Sequence, residues 1–81
     1  MALRKKTPHA VLTFPTTQAA MAFEEAARSY NLPGRMIPVP SAISAGCGLS
    51  WCAPTDKRDE LLRACTTHQL DYEGVHTVDL Y

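Results

Sequence analysis

Pro38 and Pro40 constrain this chain more than any other pair of residues. Within the run Arg35-Met36-Ile37-Pro38-Val39-Pro40, neither proline has an N–H to give to a sheet ladder. Residues 35–39 therefore predict a short strand confined to the edge of a sheet. An edge needs a sheet behind it, and the rest of the chain supplies the strands. Residues 9–15, His-Ala-Val-Leu-Thr-Phe-Pro, alternate Ala10, Leu12 and Phe14 against Val11 and Thr13 and stop at a proline. This run is apolar enough for the centre of a sheet. Residues 47–53, Cys-Gly-Leu-Ser-Trp-Cys-Ala, predict a third strand with Cys47, Leu49 and Trp51 on one face and Ser50 and Cys52 on the other. Residues 72–81 predict a closing strand, with Gly74 marking a bulge.

Two helices fall between these strands. Thr16 and Thr17 offer a hydroxyl N-cap. From Gln18 to Tyr30 the chain is alanine-rich, with Ala19, Phe23, Ala26, Ala27 and Tyr30 at helical spacing, and Asn31-Leu32-Pro33-Gly34 stops it. Pro54-Thr55-Asp56 opens a second helix that runs to about His68. Leu61, Leu62 and Cys65 form its buried stripe, and Asp59 stands four residues before Arg63 on the outside.

The order is β-α-β-β-α-β. Right-handed crossovers and a hairpin between the second and third strands give a four-stranded antiparallel sheet, order 4-1-3-2, with both helices on one face. That is the ferredoxin-like α+β sandwich. With 81 residues, 46% of them apolar, the chain makes one small globular domain. Residues 1–7, which include Arg4-Lys5-Lys6, read as a flexible basic N-terminal arm, and residues 8–81 as the single domain.

Several function classes are disfavoured. Eight basic and eight acidic residues cancel, so no overall field draws nucleic acid or an anionic membrane. No apolar run reaches the ~20 residues of a membrane span. Thr7-Pro8-His9 interrupts any secretory h-region after the basic start, which predicts a cytoplasmic, reduced chain. Three cysteines cannot all pair within it, which argues against a disulfide framework. The C-x4-C spacing of Cys47 and Cys52 is not a zinc-knuckle spacing, and the three histidines sit in separate elements. No metal and no cofactor are expected. Paired carboxylates, a phosphate loop and a Ser/His/Asp pattern are absent.

Gly46-Cys47-Gly48 is what remains. In the predicted topology the start of the third strand lies beside the end of the first, where the first helix begins. Cys47 would then sit near Thr16, Thr17 and the first N–H groups of that helix, whose dipole stabilises an anion. A thiolate in such a place has a lowered pKa and is a better nucleophile at neutral pH. The flanking glycines would let backbone N–H groups and a partner approach the sulfur closely. The competing reading is a tight turn that needs positive φ beside a small buried thiol.

The other candidates also carry two readings each. Five extended residues put Cys52 roughly 16 Å from Cys47 and on the opposite face, beyond disulfide reach. It is either a half-exposed sheet residue or a second, relay thiol. Cys65 reads as core. His68, at the same end of the sheet as Cys47, is either an exposed histidine favoured by the helix dipole or a charge partner for the thiol. Trp51 reads as packed between sheet and helices, with ligand stacking as the alternative. The sheet face without helices, carrying Val11, Thr13, Ser50 and Cys52, would offer a homodimer contact. A non-catalytic interaction module is thus the second reading of the whole chain, and a thiol-redox or metal-binding protein using Cys47 and Cys52 the third.

The stretch from Phe14-Pro15-Thr16-Thr17 through Arg35–Pro40 to Ile43–Leu49 resembles the selenium/sulfur (Se/S) carrier-like family of small bacterial proteins. Members carry a strand ending near Phe-Pro-Ser/Thr, then Arg-x-Ile-Pro-Val-Pro, then Ile-Ser-x-Gly-Cys-Gly-Leu. The likeness is closest over residues 10–53, and Gly74, Val75 and Val78 fit the closing strand loosely. It implies a carrier rather than a turnover enzyme, with Cys47 holding sulfur or selenium as a persulfide or selenosulfide. It implies two partner proteins as well, a donor such as a cysteine desulfurase and an acceptor. Arg35 would bind an anion only if its strand brings it to the Cys47 end. After Gly-Cys-Gly-Leu the family commonly has a small residue, a hydrophobic residue and Arg, where this chain has Ser50-Trp51-Cys52. The basic residue is lost, and a thiol stands in its place.

Overall fold

The computed structural model describes residues 6–41, 43 and 48–80. Strand β1 (Thr7–Thr13) leads into helix α1 (Thr17–Tyr30), then β2 (Arg35–Pro38) and β3 (Leu49–Pro54). A single 3-10 turn (Thr55–Lys57) precedes helix α2 (Arg58–Thr67), and β4 (Gly74–Leu80) closes the chain. The four strands form one sheet in the order β2-β3-β1-β4 with every neighbouring pair antiparallel. This is the expected 4-1-3-2 arrangement, with the proline-bearing β2 at one edge.

The boundaries differ from the sequence reading where backbone geometry overrides pattern. Gly48 has φ +78°, a left-handed conformation that ends extended pairing, so β3 opens at Leu49 rather than at residue 47. Gly74 is not a bulge: the β1–β4 register runs unbroken from Thr7–Leu80 to Thr13–Gly74, and the glycine simply opens the strand. β1 ends at Thr13, whose carbonyl accepts the Glu73 N–H at 2.6 Å, yet Phe14 beyond it remains fully buried.

Helix α1 begins where its cap demands. Thr16 is extended (φ −143°, ψ 160°), its hydroxyl oxygen accepts the Ala19 N–H at 3.0 Å, and its carbonyl accepts the Ala20 N–H at 3.1 Å. At the other end Asn31 turns left-handed (φ 55°), and the Asn31 and Leu32 N–H groups both donate to the Ala27 carbonyl.

Both helices lie on one face of the sheet. Ala20, Phe23 and Ala27 of α1 and Leu61 and Cys65 of α2 share one buried cluster with Leu12, Phe14, Trp51 and Ala53. Phe23 lies between two aromatic partners, with ring centroids 5.1 Å from Phe14 and 5.4 Å from Trp51, both tilted. Trp51 is therefore a core residue, and its indole N–H donates to the Pro33 carbonyl at 2.9 Å. Gly34 makes that contact possible. Its φ is +113°, and a Cβ there would overlap the Cys52 carbonyl oxygen and the indole nitrogen.

The opposite face corrects an expectation. Val11 is 0% exposed, Thr13 2%, Ser50 0% and Cys52 4%. These four residues are not available as an open contact surface, and Cys52 is not half-exposed. Ile43, in the connection between β2 and β3, is buried too.

Candidate functional site

Register alone brings four chain segments to one end of the sheet. Thr13, last in β1, pairs with Ser50 near the start of β3 and with Gly74 at the start of β4. Pro38, last in β2, pairs with Leu49. Gly48 directly precedes Leu49, and Thr16 follows β1 by three residues, so Gly48 and the first turn of α1 belong to the same end. That end is the one the sequence reading assigned to the thiol. Gly46 and Cys47 themselves lie outside the described residues.

The described parts have defined chemistry. Gly48 is exposed, with none of the described residues where a side chain would stand, and its carbonyl accepts the Val39 N–H at 3.0 Å. The bond ties the two ends of the β2–β3 connection together directly beside residue 47. Across from it, the Thr16 cap satisfies the Ala19 amide, and Thr17 is the exposed first residue of α1. No acidic side chain occupies the first turn of α1. The positive end of the helix dipole is thus not neutralised from within its own helix.

The two described thiols are of the opposite kind. Burial pushes the Cys52 thiol above its ordinary value, and the nearby Arg35 guanidinium only partly offsets it. Burial likewise pushes the Cys65 thiol up, partly offset by a backbone hydrogen bond. Both thiols are buried and stay protonated at neutral pH. A nucleophile must be accessible and ionised, and burial works against both at Cys52. Since β3 begins at Leu49, full extension covers only the part of the Cys47–Cys52 separation from that residue onward.

Two further candidates are displaced from this end. Arg35 opens β2 and pairs with Cys52, at the far end of its strand from Pro38 and Leu49. His68 caps the C-terminus of α2, but its ring stacks on Tyr30, centroids 3.7 Å apart and planes 7° from parallel. Tyr30 is the last residue of α1, whereas Thr16 caps the first turn. His68 is therefore held toward the wrong end of α1 to serve a thiol beside Thr16. Tyr30 shares the helical spacing of Phe23 and Ala27, yet it is 50% exposed. No periodicity signals a stack between residues on two separate helices.

Among the described residues no cluster of three or more His, Cys, Asp or Glu side chains could hold a metal ion. Among the same residues no helix is long and apolar enough to cross a membrane.

Residues 9–77 match the model of a protein family described as "Putative Se/S carrier protein-like". Comparison with curated proteins and with solved structures gives no match.

Proposed function

Because the chain belongs to the Se/S carrier-like family, we propose that it carries sulfur or selenium on Cys47 as a persulfide or selenosulfide. The observation that carries the assignment to one residue is the state of the other two thiols. Cys52 and Cys65 are buried and held protonated, which favours Cys47 over both for the chemistry. Its surroundings support the choice. Gly48, beside it, is exposed and left-handed, and the capped N-terminus of α1 belongs to the same end of the sheet. We read the β-α-β-β-α-β sandwich as ferredoxin-like and the protein as cytoplasmic, where free thiols persist.

The exchange needs no cofactor. The Cys47 thiolate attacks the outer sulfur of a persulfide on a donor protein such as a cysteine desulfurase. A new S–S bond forms, the donor's own S–S bond breaks, and the donor cysteine leaves as a thiolate. In delivery the acceptor's nucleophile attacks the outer sulfur, and Cys47 leaves as a thiolate. The α1 N-terminus at that end of the sheet would assist both steps, because a helix N-terminus favours the anion as attacking and as leaving group. The same sequence with selenium gives the selenosulfide.

The pH dependence of alkylation tests this reading. Iodoacetamide labelling followed by peptide mapping should modify Cys47 first, with a rate midpoint well below the ~8.5 of an ordinary thiol. A midpoint at or above that value, or a Cys47 that resists labelling in the folded protein, contradicts the carrier assignment.

A further inference from the structure

The sheet ends in β2 on one side and β4 on the other, and the backbone treats these edges differently. The Val39 N–H donates to the Gly48 carbonyl at 3.0 Å, continuing the register in which Pro38 faces Leu49. Along an antiparallel ladder, residues alternate between those that bond one neighbour and those that bond the other. Val39, Ile37 and Arg35 therefore turn their backbone groups to β3, and Met36 and Pro38 turn theirs outward. Pro38 has no N–H to offer there, so it blunts the β2 edge against a further strand.

The same alternation, carried across the sheet, gives the state of the other edge. Ser50 and Cys52 face β2, so Leu49, Trp51 and Ala53 face β1. Leu12 and Ala10 answer them, which leaves Val11 and Thr13 to face β4. The Thr13 carbonyl does accept from that side, from the Glu73 N–H. Gly74, His76 and Val78 thus bond β1, and Val75, Thr77 and Asp79 present their N–H and C=O groups outward. β4 is seven residues long without a proline, and Thr77 and Asp79 are exposed. Among the described residues no strand pairs with its outer side.

We propose that β4 pairs antiparallel with β4 of a second copy, about a two-fold axis at Thr77, joining the two sheets into one. This register uses the whole strand. Thr77 faces Thr77 of the second copy and Val75 faces Asp79, each pair exchanging two backbone bonds. His76 then faces Val78 and Gly74 faces Leu80, so no two like charges stand opposite. Shifting the axis back by one residue sets His76 against itself and Glu73 against Asp79. Shifting it forward by two sets Asp79 against itself, and like charges directly opposite destabilise a pair. Every shift also shortens the pairing. Paired residues point the same way, so both copies keep their helices on one face. The Gly48 ends of the two copies lie at opposite ends of the joined sheet, and the contact does not rest on the carrier reading.

Sedimentation equilibrium at concentrations up to about 1 mM should give the mass of two chains. Thr77→Pro removes the central donor while leaving the bonds to β1, and Thr77→Lys sets two like charges face to face. Each should keep its circular dichroism and weaken self-association by at least about tenfold. If Thr77→Pro unfolds, Thr77→Lys alone decides. Amide hydrogen exchange reads the register. The Val75, Thr77 and Asp79 amides should slow by at least about tenfold as concentration rises, with His76 and Val78 protected throughout. A monomer at every concentration overturns the proposal. So does a dimer that survives Thr77→Lys, or one whose Val75, Thr77 and Asp79 amides exchange as fast as in the monomer.

Discussion

The Thr16 hydroxyl oxygen accepts the Ala19 amide N–H at 3.0 Å, and this bond sets where α1 begins. It fixes the positive end of the helix dipole beside the end of β1 and the start of β3. The cap thus links fold stability to the electrostatics of the proposed thiol site.

Thr16→Ala should remove about 1 kcal/mol of stability, a fall in Tm of about 4–8 °C for a domain of this size. Thr16→Ser should restore most of it. Thermal unfolding followed by circular dichroism distinguishes the two. If the helix terminus also stabilises the Cys47 thiolate, Thr16→Ala should slow Cys47 alkylation at neutral pH, and Thr16→Ser should not.

Gly34 and Gly48 both have positive φ, but only one is crowded. A side chain at Gly34 meets the Cys52 carbonyl and the Trp51 indole, whereas none of the described residues stands within 4 Å of one at Gly48. Gly48→Ala should cost about 1–2 kcal/mol, the strain of a left-handed residue alone. Gly34→Ala should cost more than about 3 kcal/mol, because backbone cannot yield as a flexible side chain can. Urea unfolding of the two variants, monitored through Trp51, gives the comparison. Equal losses would mean that the close approach at Gly34 is relieved elsewhere.

The buried thiols predict an alkaline weakness. Both Cys52 and Cys65 have folded-state values above that of an ordinary thiol, raised by burial. As pH rises past that value the unfolded chain releases its thiol protons while the folded chain keeps them. The unfolded state then binds fewer protons, so stability falls with increasing pH. Below about pH 8 these groups are protonated in both states and contribute no slope. Urea midpoints measured at pH 7.5 and pH 10 should differ in that direction, and the slope should shrink in Cys52→Ala, whatever that variant's loss of absolute stability.

Most of the scaffold was legible because it rests on local rules. Pro38 put β2 at the edge, the alternation of residues 10–14 put β1 near the centre, and Thr16 marked the cap. The resemblance carried by Arg35–Pro40 and Ile43–Leu49 led to the family that the match over residues 9–77 supports. The misses depended on tertiary context. Sheet alternation marked Val11 and Cys52 as facing away from the helices, but it carries no information on what else covers that face. Tyr30 had the right spacing for the core, yet the helix ends there, and its ring lies on His68 instead. Arg35 was placed on a strand correctly, but only the register with Cys52 fixed which end of the sheet it occupies.

The central claim is that Cys47 accepts a chalcogen atom, and intact mass tests it most directly. The protein is incubated with an active cysteine desulfurase and cysteine, desalted without reductant, and weighed. The account predicts a species heavier by one sulfur atom that disappears on reduction, persists in Cys52→Ala and is missing in Cys47→Ser. An unmodified wild-type protein beside a fully active desulfurase, or an adduct that survives Cys47→Ser, would contradict it.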